Sequence, residues 1–117
     1  MKNLLIDVLE RFCPNNVFLQ GTLDEKAQYP ETFITFWTYD VPEGSHYDNE
    51  AHSFDWSFLV NIYSANPETI NTMPEQIRKA LKGVGFIPQG KGNDLPSDVP
   101  THTAWTMDVL YRETINN

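Results

Sequence analysis

The chain has 117 residues, with 16 acidic against 8 basic and a formal charge of −8, a balance that argues against nucleic-acid binding, which needs Lys and Arg to neutralise phosphates. That length fits one domain able to bury a core without staples, and the lone cysteine, Cys13, excludes an internal disulfide and points to a reducing compartment. Asp7, Glu10 and Arg11 interrupt any secretory h-region after Met1, and no stretch approaches the roughly 20 apolar residues of a membrane span.

Leu4, Leu5, Val8, Leu9 and Phe12 recur at helical spacing and predict a helix over 3–12, stopped by Pro14 and followed by an Asn15-Asn16 turn. Cys13 follows that apolar face, which predicts a partly buried, inert thiol. Val17 to Gln20 reads as a short strand and 21–28 as a polar loop. Thr32 to Tyr39, with sequence TFITFWTY, is β-branched and aromatic throughout and predicts a strand. Phe33, Trp37 and Tyr39 share one parity, Ile34 and Phe36 the other, so this strand is greasy on both faces. Such a strand is central in its sheet or buried at a subunit contact.

Residues 40–51, DVPEGSHYDNEA, carry four acids, a Pro and a Gly without periodicity. They predict a long connection between two long strands, joined as a hairpin. Irregular connections of this length are usually functional or mobile, which makes this one the first candidate interaction element. His52, Phe54, Trp56, Phe58, Val60 and Ile62 then alternate with Ser53, Asp55, Ser57, Leu59 and Asn61. The alternation predicts a long strand with one apolar face and one mostly polar face, needing a cover on one side only. Its large side chains read as packing material rather than as a catalytic grouping.

Asn66-Pro67-Glu68 is a helix start: a cap, Pro at the first helical position, and an acid near the positive end. Pro74 predicts an interruption, with the better helix restarting there and running to Lys82 over Ile77, Ala80 and Leu81. Gly83 and Gly85 are stop signals. Val84 to Pro88 reads as a short strand, 89–100 as a second irregular loop, and His102 to Glu113 as the closing strand, alternating Thr103, Trp105, Met107, Val109 and Tyr111 against Ala104, Thr106, Asp108, Leu110 and Arg112. The expected fold is therefore α+β, in the order α-β-β-β-α-β-β, a mixed or antiparallel sheet with two helices on one face.

The chemistry sought in the sequence is mostly missing. His46, His52 and His102 show no metal-ligand spacing. His46 with Asp48 and Glu50 is the nearest approach to a ligand trio, and a solvated acidic loop explains it as well. The glycines are scattered, with no phosphate cradle and no Gly-x-Ser-x-Gly elbow. Asp55 and Asp108, the acids inside the long strands, fall on the polar parity, which favours solvated positions over a paired-carboxylate hydrolase. Three tryptophans at strand periodicity read as core or interface rather than as a ligand pocket. Arg78, Lys79 and Lys82 form the only local basic cluster, at spacings that fit one solvated helix face. No cofactor is implied.

The order of parts is nonetheless familiar: a short helix, "YPETFITFWTYD", a long acidic loop, "HSFDWSFLVNIYS", a Pro-started helix ending "IRKALKGVGF", and "HTAWTMDVLYRE". In this order and over most of its length the chain resembles the tail terminator, or tail completion, proteins of long-tailed phages and prophages. The resemblance implies an α/β fold with helices on one side of a mixed sheet. It also implies a virion protein, made in the host cytoplasm, that forms a ring, commonly a hexamer, on the head-proximal end of the tail tube. There it would stop tube polymerisation and present a surface to the head connector. Expected partners are therefore copies of itself, the tail tube protein and the head connector or completion protein, with no specific nucleic acid and no membrane. An acidic protein lining a channel would not grip passing DNA, and a contact that closes by rotation gives a ring rather than a filament.

On this reading the contact residues lie in the loops and the basic cluster. They are Asp40, Glu43, His46, Tyr47, Asp48 and Glu50 in the first loop, and Lys91, Asn93, Asp94 and Leu95 in the second. Arg78, Lys79 and Lys82 are placed to meet a neighbour's acidic loop. Two other classes compete: a small acidic binding or inhibitor protein with a basic partner, and a small enzyme or ligand-binding domain. Ring formation separates the first class from both others.

Overall fold

The computed structural model of the protein describes residues 2–19, 29–41, 46–47, 50–51, 53–97 and 99–114, with the backbone alone at 46–47 and 50–51. It bears out the α+β expectation: two helices, α1 (Lys2–Glu10) and α2 (Pro67–Gly83), accompany a mixed six-stranded sheet. The strands are β1 (Val17–Leu19), β2 (Thr32–Asp40), β3 (His46–Tyr47), β4 (Glu50–Ala51), β5 (Ser53–Ser64), β6 (Ile87–Pro88), β7 (Asn93–Leu95) and β8 (Thr103–Thr114). The sheet runs β1-β2-β5-β8-β6, with β7 also on β8, while β3 and β4 pair with each other. β1 joins β2 in parallel and every other pairing is antiparallel.

β5 and β8 form the spine of the sheet, paired over their whole length from Ser53↔Thr114 to Ser64↔Thr103. Their alternation sorts the side chains into two faces. Phe58, Val60 and Ile62 of β5 stand beside Ile34 and Phe36 of β2 and Met107 and Val109 of β8, all fully or almost fully buried. Leu5, Val8 and Leu9 of α1 and Ile77 and Leu81 of α2 join the same core. Both helices therefore cover one face of the sheet. Burying a Phe, Leu or Ile side chain stabilises the fold by about 1.5–3 kcal/mol, and this shared core is where the helices gain their stability.

The helix ends follow from named residues. Asn66 Oδ1 accepts from the Glu68 N–H at 3.1 Å, with Pro67 in the first turn, as the sequence predicts. At the other end Gly85, at φ +103°, takes the left-handed position, and the Gly85 and Phe86 N–H groups reach back to the Lys82 and Leu81 carbonyls. Phe86 then turns into the core beside Leu81.

Four expectations need correction. Pro74 does not interrupt α2, which runs unbroken from Pro67 to Gly83. Pro74 has no N–H to offer the Ile70 carbonyl, but it lies buried on the same side as Ile77 and Leu81, and that packing carries the helix across the lost bond. α1 ends at Glu10, short of residue 12; the Phe12 and Cys13 N–H groups bond back to Leu9, and Asn15 turns the chain at φ +64°. The second loop is not wholly irregular, because Asn93–Leu95 adds to β8. The connection after β2 is not structureless either, since His46 and Tyr47 pair with Ala51 and Glu50. β2 and β5 are joined as a hairpin, as expected.

Candidate functional site

The face of the sheet opposite the helices is closed at one end, where Phe33, Thr35, Asn61 and Ala104 are buried, and opens towards Trp37 and Ile87. The register places its side chains in rows. Phe33, Tyr63 and Ala104 form one row, Thr35, Asn61 and Thr106 the next, then Trp37, Leu59 and Asp108, and finally Asp40, Ser57, Leu110 and Ile87. One-faced antiparallel sheets usually turn polar residues outward. Here the outward set includes Trp37 at 43% exposure and Ile87 at 51%, with half-buried Leu59 and Leu110 between them. Tyr39, 51% exposed, sits at the bulge where β2 slips register against β5. An exposed patch of this kind, rimmed by polar groups, is the usual mark of a protein-contact surface.

The ends of the patch are firmly built. At one end Phe33 stacks on Tyr63 at 4.7 Å and on Tyr29 at 5.5 Å, with the His102 ring 5.5 Å from Phe33. His102 Nε2 donates to the Pro30 carbonyl at 2.7 Å and its Nδ1 shares a 2.8 Å hydrogen bond with the Thr101 hydroxyl, so the ring locks the 29–31 segment to the start of β8. At the other end Arg112 donates to both oxygens of Asp55 at 2.7 and 3.0 Å. That pair holds the Asp55 carboxyl below the usual aspartate range, first through the hydrogen bonds and then through the charge. Asp55 is thus a structural partner on the polar parity, as the alternation suggested.

The sequence-predicted contact residues fall in three places. Asp40 closes β2, exposed, in the same row as Ile87. His46, Tyr47 and Glu50 belong to the small β3–β4 ladder, while Glu43 and Asp48 lie outside the described residues. Lys91, Asn93, Asp94 and Leu95 lie along the outer edge at β7, where Asn93 pairs with Thr106 and Leu95 with Ala104. Arg78 is not on a freely solvated face. It is half-buried, donates through Nε to the Gly90 carbonyl at 3.2 Å and pairs with Glu75 at 3.4 Å. Its bond to Gly90 brings Lys91 beside the helix, so the structure joins the basic cluster to the second loop. Lys79 and Lys82 are exposed. A groove of about 380 Å³ opens beside them, lined by Arg78, Lys82, Gly85, Phe86, Ile87 and Pro88.

The sequence places the contacts in loops and offers Trp37 and Tyr39 only as one parity of a strand either central in its sheet or buried at a subunit contact; it assigns Leu59, Leu110 and Ile87 to no site. The signal was present in part: Leu59 and Leu110 are the apolar members of otherwise polar parities. Only the strand register reveals that they adjoin Trp37 and Ile87. Among the described residues no group of three or more His, Cys, Asp or Glu is placed to hold a metal. The His46, Asp48 and Glu50 trio falls partly outside those residues. Cys13 is buried, and burial followed by the Glu10 charge pushes its thiol up to about 11, the inert thiol expected from sequence. No protein-family model matches the chain, and no curated protein matches it.

Proposed function

We propose that this protein works by binding other proteins in the assembly of a virion: it caps the tail tube of a long-tailed phage, ends tube polymerisation and helps join tail to head. Copies of the chain would form the cap as a ring, a hexamer on the family resemblance. They would meet the tube protein on one side and the head connector on the other, first in the host cytoplasm and then in the tail. The observation that supports this reading best is the open part of the sheet face opposite the helices, where Trp37 and Ile87 are exposed beside half-buried Leu59 and Leu110. A binding surface of that kind suits an assembly component, and the order and length of the sequence segments supply the particular assembly.

Purified protein added to polymerising tail tube protein from the same phage should stop elongation and leave short capped tubes. Tube lengths unchanged at stoichiometric excess would contradict the reading. The formal charge of −8 favours a second reading, a small acidic inhibitor of a basic protein partner. A tight one-to-one complex with such a partner, and no effect on tubes, would mark it.

A further inference from the structure

The charge along the chain is sharply divided. The segment 40–51 carries Asp40, Glu43, Asp48 and Glu50 and neither Lys nor Arg. Four of the 8 basic residues, Arg78, Lys79, Lys82 and Lys91, are gathered at α2 and the loop that Arg78 holds through Gly90. Two of them, Lys82 and the Glu75-paired Arg78, line the 380 Å³ groove, which is floored by Phe86, Ile87 and Pro88. Ile87 is half exposed, although Leu110 beside it in the sheet is largely covered. The negative end of α2, which would otherwise repel an acidic ligand, is muted because the Val84, Gly85 and Phe86 N–H groups bond its last carbonyls.

We infer that this groove receives the 40–51 segment of a second copy of the chain. The inference rests on the self-assembly reading above and specifies its contact. Charge complementarity selects the occupant: the groove carries cations on an otherwise acidic molecule, and the segment holds four acids within twelve residues with no Lys or Arg among them. The sequence of the segment also contains the apolar or aromatic residues Val41, Pro42 and Tyr47. Asp40, where the segment begins, stands three strands from β6, which favours a second copy as its source. The segment leaves the β2–β5 side of the row that contains Asp40, whereas the groove borders β6 at the far end of that row. Joining unlike patches at opposite ends is a head-to-tail contact, the kind that closes into rings. Each exposed ion pair contributes only about 0–1 kcal/mol, so the charges steer the segment and the groove floor and ring closure supply the hold.

The test mixes two separately purified variants, Glu50→Cys and Lys82→Cys, under mild oxidation. A disulfide between them can form only between molecules. The native Cys13 stays in place, since burial keeps it protonated and out of the exchange. The control replaces the exposed Lys2 in place of Lys82, in the same mixture. Cross-linked heterodimer is expected several-fold above the control at low salt. It should fall towards the control at roughly 1 M salt, where charges are screened beyond about 3 Å. Yield equal to the control at low salt would overturn the docking, as would yield unaffected by a Lys79→Glu change in the groove-bearing partner. Either result would leave tube capping to stand or fall on its own assay.

Discussion

Two aromatic residues on adjacent strands show how position decides what a side chain does. Phe58 is fully buried against Trp56 and Phe86 on the helix side. Trp37, on the opposite face beside Leu59, is 43% exposed. Phe58→Ala is expected to cost about 3–5 kcal/mol and to leave the protein barely folded. Trp37→Ser should cost about 1 kcal/mol or less by chemical denaturation, while weakening the partner binding on which the proposed tube capping would depend. Equal losses of stability at the two positions would refute the assignment of faces. The Asp55–Arg112 pair carries a pH signature. Its folded carboxyl titrates below the unfolded one, so its contribution is present above the usual aspartate range near pH 4 and is lost as pH falls through the folded value. The melting-temperature difference between the protein and Asp55→Asn should therefore be present at neutral pH and shrink on acidification below that range. A difference constant across pH would exclude the pairing.

At the level of elements, β5, β8 and α2 were legible because each carries a long periodic signal. Asn66 announced the start of α2, and Asn66→Ala is expected to lower stability by about 1 kcal/mol, read as a shifted denaturant midpoint with unchanged slope. An unaltered midpoint would show that Pro67 alone fixes the start. The elements that the sequence concealed are short or borrowed. Asn93-Asp94-Leu95 has little strand propensity of its own and pairs because β8 runs past it with an open edge. Its approach requires Gly92, at φ +92°, where a Cβ would meet the Thr106 backbone and the Trp105 indole. Trp105 Nε1 donates to the Lys91 carbonyl at 2.9 Å and closes the same turn. Pro74 misled for the converse reason: a strong local breaker was overridden by packing that no local window contains. The candidate site was hidden by the same non-locality, since Trp37, Leu59, Leu110 and Ile87 lie on four strands far apart in sequence and become neighbours only through register.

Over the whole molecule, the fold leaves two unlike surfaces available: a sheet face with outward aromatic and aliphatic groups, and a cationic groove at the sheet's far edge on a strongly acidic protein. Under the proposed function, the groove would hold copies of the chain together and the sheet face would meet a different partner. The proposed capping role requires the gene to lie in a phage or prophage genome, and the most direct test is its deletion there, with the lysate viewed by negative-stain microscopy. Headless tails of uncontrolled length beside filled, tailless heads are the predicted result. Normal, infective virions would contradict it.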